Sequence, residues 1–211
     1  MIDTYTINLV AGHGTIVGDI IQLLHEESNT FMQSEVLGVS GNTVTLDQPL
    51  NYNYTSSDLI TIASKSMNVN GSITPQIFSI SPSPSQAGDL VRVLFNIQDN
   101  ADMDFGTFGG INLLSKGCVL RVLLEDGTYQ NITNFKSNGD LITECFDHEF
   151  LDTNGQGMRG FSSRLTWGGQ DNHGVVIPLD GSKGEELQLI VQDNLTGLSS
   201  FNMKVQGHAI Q

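Results

Sequence analysis

The chain has 211 residues, enough for one large domain or two small ones with ordinary cores and no need of disulfide or metal staples. Charged residues make up only 15% of it, so its polarity comes mainly from neutral hydrogen-bonding groups, which cost less to desolvate in protein contacts than ions do. A formal net charge of -14 argues against a continuous contact with nucleic-acid phosphates, because such a contact needs clustered Lys and Arg.

In chain order, the first predicted strand covers 6–10. Segment 15–27 is ambiguous: Ile16, Ile20, Leu23 and Leu24 have helical spacing, but Gly18 and the β-branched neighbours favour a strand, which is the reading adopted. Strands follow over 31–39 and 43–46, joined by Ser40-Gly41-Asn42, residues that tolerate the positive φ angles of a tight hairpin. Another strand covers 59–63. No Lys or Arg precedes Lys65, while Asp3, Asp19, Glu26, Glu27, Glu35, Asp47 and Asp58 do. Charge of this kind keeps a chain soluble or steers it toward a basic partner surface.

A domain boundary is expected near 65–75, giving a small acidic β-barrel-like domain at 1–70 and a β-sandwich domain at 71–211. In the second block, strands are predicted over 76–80 and 90–98. Ser81-Pro82-Ser83-Pro84-Ser85 reads as a stiff extended surface connector between them. A single helical turn is expected near 108–115. Strands over 118–124 and 128–132 meet at Asp126-Gly127, and further strands cover 161–167, 187–192 and 201–208. The fold class is therefore all-β: a small N-terminal barrel or roll followed by a sandwich of jelly-roll type. No apolar run approaches the roughly 18 residues of a membrane span, and no basic-then-apolar leader opens the chain, so no membrane span is expected.

Each candidate for chemistry has a structural reading beside it. Glu144, Asp147, Glu149 and Asp152 cluster, and Asp147 and Glu149 would face one way in an extended segment, as a glycosidase pair must; an acidic loop between strands looks the same. Asp152-Thr153-Asn154-Gly155-Gln156-Gly157 opens like a calcium loop, but its twelfth position is Ser163, so the closing carboxylate is missing. Asn100, Asp102 and Asp104 alternate similarly and also lack a closing acid. His13, His25, His148, His173 and His208 show no metal-ligand spacing, and Cys118 and Cys145 sit in apolar contexts as small hydrophobes do. Gly12-His13-Gly14 and Gly109-Gly110 read as turns. Gln-Asp-Asn recurs at 98–100, 170–172 and 192–194, either as a strand terminator or as a shared binding rim. Trp167 precedes Gln170, Asp171 and Asn172, and an exposed ring beside amides and an acid would form a glycan platform; a Trp in a sandwich more often belongs to the core. No catalytic residue, cofactor or metal site is assigned.

Several segments carry a resemblance. The runs Ala11-Gly12-His13-Gly14-Thr15-Ile16-Val17-Gly18-Asp19-Ile20-Ile21 and Val39-Ser40-Gly41-Asn42-Thr43-Val44-Thr45-Leu46-Asp47-Gln48-Pro49-Leu50 resemble small β-modules in virion proteins of tailed bacteriophages. Gly71-Ser72-Ile73-Thr74-Pro75-Gln76-Ile77-Phe78, Met103-Asp104-Phe105-Gly106 and Gln206-Gly207-His208 resemble the same group, so the likeness spans most of the chain. The resemblance implies a structural component of the tail, baseplate or head-to-tail connection, located in the virion and synthesised in the host cytoplasm. Its partners would be copies of itself and other virion proteins. The competing reading is a carbohydrate- or receptor-binding module of a tail tip, with Trp167, Gln170, Asp171 and Asn172 on its rim.

Overall fold

Alternating apolar and polar positions build antiparallel sheets throughout, and the chain divides into two units, Met1–Ser66 and Met67–Gln211. The computed structural model describes residues 4–9, 15–25, 28, 30–55, 59–82, 86–145, 147–152, 158–166 and 176–210.

The first unit contains β1 (Thr6–Asn8), β2 (Ile20–His25), β3 (Thr30–Ser40), β4 (Thr43–Leu46) and β5 (Leu59–Ser66), in the spatial order β1-β4-β3-β2-β5. Among the described residues its core contains Ile21, Leu23, Val36, Val44, Leu46 and Leu50. The length of β3 explains the curl of the sheet. Its first half pairs with β2 and its second half with β4, and a bulge between Val36 and Gly38 turns the strand between these two tasks. A two-residue turn, Gly41-Asn42, closes the β3–β4 hairpin, with Gly41 at φ 61 where a side chain would be strained. The ambiguous segment becomes strand from Ile20 onward, after a turn at Gly18.

In the second unit, β6 (Gln76–Ile80), β8 (Cys118–Leu123), β9 (Tyr129–Phe135) and β13 (Glu186–Val191) form one sheet, in the order β6-β13-β8-β9. The other sheet is built around β7 (Ala87–Gln98), which has β14 (Ser200–Ile210) on one side. On its other side β7 pairs with β11 (Met158–Thr166) and β12 (Ile177–Asp180), and β10 (Asp147–Asp152) forms the edge beyond β11. The long-range pairs β7 with β14 and β8 with β13 are nested, which wraps the chain around one core in a sandwich. That core takes Val93, Phe95, Ile97, Phe161 and Phe201 from one sheet and Leu120, Val122, Phe135, Leu187 and Leu189 from the other. Phe95 bridges the layers, edge-on to Phe135 at 5.2 Å and stacked on Phe201 at 6.4 Å.

The expected helical turn near 108–115 is not there. Phe108 and Ile111 instead exchange backbone hydrogen bonds across Gly109-Gly110, with Gly109 at φ 58, because two glycines favour a tight turn over a helix. The described residues include an α-helix, α1 (Asn138–Glu144), opened by a capping box: Ser137 Oγ accepts from the Asp140 N–H, and the Asp140 carboxylate accepts from the Ser137 N–H. In the 81–85 connector, residues 83–85 lie outside the described residues.

Gly71 marks a close backbone approach. Its N–H donates to the Asp193 carbonyl at 2.8 Å, and a Cβ there would collide with the Val191 carbonyl oxygen. Gly71→Ala is therefore expected to destabilise the second unit by about 1–3 kcal/mol, as overpacking does. Thermal unfolding checks this, with a midpoint lowered by several degrees as the expected outcome.

Candidate functional site

The sequence-derived candidates separate into residues the structure places and residues it does not describe. Trp167, Gln170, Asp171 and Asn172 lie outside the described residues, as do Gly12-His13-Gly14, His173 and 153–157 of the calcium-like loop. Asp147 and Glu149 fall on the edge strand β10, opposite Arg164 and Ser162 of β11, and Asp152 ends that strand beside a register shift. Among the described residues, no three His, Cys, Asp or Glu side chains gather to hold a metal ion. No described helix is long and apolar enough to cross a membrane.

Three of the acids that stand in candidate loops, Asp99, Asp104 and Asp193, accept from loop backbone. Asp104 accepts from the N–H groups of Gly106 at 2.7 Å and Thr107 at 3.0 Å, a turn-closing role. Asp99, in the first Gln-Asp-Asn, accepts from the Gly110 N–H at 3.2 Å and so ties its own turn to the Gly109-Gly110 turn. Asp193, in the third, accepts from the N–H groups of Ser115 at 3.1 Å, Lys116 at 2.9 Å and Gly117 at 2.7 Å, and from the Ser115 hydroxyl at 2.7 Å. In the same copy, Asn194 accepts from the Thr196 N–H and hydroxyl. These two occurrences of the motif are loop locks.

Burial pushes the Asp193 carboxyl up, but the four hydrogen bonds around it outweigh burial and hold it below the ordinary carboxylate value. A folded pKa below the unfolded one contributes stability that is complete above about pH 4 and is lost as pH falls through the folded value. Asp193→Asn should accordingly flatten the acid limb of the stability profile of the second unit. Thermal midpoints measured from neutral pH down to about pH 3 test this.

The cysteines are free and buried. Burial raises the Cys118 thiol far above its ordinary value, and burial followed by the neighbouring Glu144 charge pushes Cys145 up to about 12. Neither has the exposed, electropositive setting of a reactive thiol.

Three features escaped the sequence reading. His25 stacks on Tyr52 with centroids 4.5 Å apart and meets Tyr54 edge-on at 5.9 Å; the alternation Asn51-Tyr52-Asn53-Tyr54 was the available signal. The second is a set of exposed apolar side chains. In the second unit Ile73 is 91% exposed, Phe105 65% and Leu113 60%, and in the first Val17 is 57% and Leu37 55% exposed. Val17 and Leu37 are brought together because Gly18 N–H donates to the Val36 carbonyl and Val36 N–H to that of Asp19, both at 2.8 Å. Beside them the Asp47 carboxylate accepts from the Ser34 hydroxyl at 2.5 Å and the Glu35 N–H at 2.9 Å. The Ser34 bond is the leading reason that Asp47 sits below the usual carboxylate range, so it is ionised at neutral pH.

The third feature is the outer face of the β7 sheet. Because Val93, Phe95 and Ile97 point into the core, Arg92, Leu94 and Asn96 take the opposite face. Register places Arg164, Leu94 and Lys204 on one rung, Thr166, Arg92 and Gln206 on the next, and Ser162, Asn96 and Asn202 on the one before. Neutral partners knit this face together: Arg92 Nη1 donates to Gln206 Oε1 at 3.2 Å, Asn202 to Ser200 Oγ at 2.7 Å, and Ser162 Oγ to Asn96 Oδ1. Among the described residues, Arg92 Nε has no hydrogen-bond partner. No protein-family model, curated protein or solved structure matches the chain.

Proposed function

We propose that the chain is a structural subunit of a tailed-bacteriophage virion, in the tail, baseplate or head-to-tail connection, and that it works by packing against copies of itself and other virion proteins, without catalysis. One observation carries the reading: among the described residues, three acids of the candidate loops are spent on holding backbone, while large apolar side chains are displayed. Asp99, Asp104 and Asp193 each hold loop backbone, whereas Ile73, Phe105, Leu113, Val17 and Leu37 stand more than half exposed. Apolar side chains displayed in this way, at turns and loops and at the bulge of β3, are the material of protein interfaces, because their desolvation on contact is favourable. The sequence resemblance to phage virion proteins supplies the biological setting.

Peptide mass fingerprinting of purified particles, with the copy number read from band intensity against the major capsid protein, tests the proposal. The expected result is a fixed stoichiometry in intact virions. Absence from particles that are infectious would overturn it.

A further inference from the structure

We propose that copies of this chain associate head to tail, with the outer face of the β7 sheet in one copy, centred on Arg92, Leu94 and Lys204, seated on the acidic, apolar patch of Glu35, Asp47, Val17 and Leu37 on the first unit of the next. The inference rests on the reading of the chain as an assembly subunit and names the surfaces that would join.

Charge complementarity within one sequence is the argument. The chain has only nine Lys and Arg, yet Arg92, Arg164 and Lys204 fall on two adjacent rungs around Leu94. Arg164 and Lys204 flank Leu94 on its two neighbouring strands and Arg92 is diagonal to both, so the three stand within roughly 10 Å of one another, about one screening length. The opposite surface lies in the stretch that has no Lys or Arg before Lys65. There Glu35 and Asp47 are adjacent and exposed, and the apolar Val17 and Leu37 lie alongside. Each surface thus pairs charge of one sign with apolar area, and the two signs are opposite.

An acid at one margin of the basic face sharpens the fit. Asp89 lies farther along β7, opposite Pro178 and His208. An acidic patch displaced toward that margin meets like charge, so repulsion there limits sliding while attraction acts at the centre. Such a contact joins two different surfaces and leaves one of each unmatched at the ends of a pair. It therefore propagates into a ring or a filament. A patch two rungs deep is well short of the roughly 800 Å² per partner of a standard interface, so a single contact is weak and ring closure supplies the rest.

Sedimentation velocity of the full chain at low and high salt tests the contact. The expected result is concentration-dependent oligomers at low salt that shift toward monomer as salt screens the pairing. Arg92→Glu with Lys204→Glu should weaken association about tenfold or more, as should Glu35→Lys with Leu37→Lys, a loss of at least roughly 1.4 kcal/mol. The decisive sample mixes the two variants. The reversed face of the first then meets the reversed patch of the second, and the native face of the second meets the native patch of the first, so mixing should restore oligomers that neither forms alone. Circular dichroism verifies that each is folded. A chain that is monomeric at low salt and high concentration, or folded variants whose mixture stays monomeric, would overturn the inference. Either result leaves the virion reading standing if the chain is found in particles, whereas absence from particles overturns that reading whatever the solution mass.

Discussion

Asn138→Ala is expected to destabilise the second unit by about 3–4 kcal/mol, lowering its thermal midpoint by roughly 10 °C. Asn138 is fully buried at the start of α1, and its side chain organises the whole 104–110 loop. Its Nδ2 donates to the carbonyls of Asp104 at 2.7 Å and Gly109 at 2.9 Å, and its Oδ1 accepts from the Gly109 N–H at 2.7 Å. Truncation leaves the Gly109 N–H buried without an acceptor and weakens both carbonyls, and each unmet group costs about 1–3 kcal/mol. One of the two carbonyls keeps a second donor, because the single Thr107 O–H reaches either Gly109 O at 2.7 Å or Asp104 O at 3.1 Å; this keeps the loss below the sum of three orphaned groups. Thr107→Val should then cost only about 1 kcal/mol, since Asn138 still serves the same carbonyls. Guanidinium unfolding of the two variants checks the ordering, and equal losses would show that Asn138 is not the anchor.

Most strands were legible because period-two alternation and glycine turns act locally. The strand 76–80 and the hairpin at Asp126-Gly127 are of this kind, the latter with Gly127 at φ 77 and Asp126 accepting from the Thr128 N–H at 2.9 Å. What escaped notice follows from context. β10 reads Asp-His-Glu-Phe-Leu-Asp, and charges that look like a loop are what an edge strand carries against unwanted pairing. β12 contains Pro178, tolerated because β7 is its sheet neighbour on one side and the missing N–H can face away from the ladder. α1 was hidden by Asn138-Gly139, poor helix formers whose helix depends on the Ser137–Asp140 capping box and on the tertiary bonds of Asn138. The basic face was invisible for a different reason. Arg92, Arg164 and Lys204 are scattered along the chain and are brought together only by the pairing of β7 with β11 and β14.

Asp19→Ala is expected to unfold the first unit while the second remains folded. Asp19 is fully buried; its carboxylate accepts from the Ile16 N–H at 3.0 Å and the Ser66 N–H at 2.9 Å, so it ties the turn before β2 to the end of β5. The buried Lys65 ammonium acts on it as the opposing charge. Burial raises the Asp19 carboxyl above its ordinary value and lowers the Lys65 amine below its own, so desolvation outweighs the mutual attraction on both sides. A raised folded pKa makes ionised Asp19 a cost at neutral pH that is relieved as pH falls through the folded value, opposite in sign to Asp193. Keeping the pair is therefore not strongly stabilising, yet removing one member is severe, because it strands a buried charge at about 3–5 kcal/mol. The first unit is the smaller of the two, Met1–Ser66, and units of that size seldom exceed roughly 3–5 kcal/mol in total, so it has little margin for that loss. Amide exchange resolved by segment would show 15–66 deprotected and 67–210 unchanged. Adding Lys65→Met to Asp19→Ala removes the stranded ammonium and leaves only the two N–H groups unmet, so part of the protection should return. If the double variant is no better than Asp19→Ala alone, the energy resides in the backbone hydrogen bonds of Asp19 and not in its pairing with Lys65.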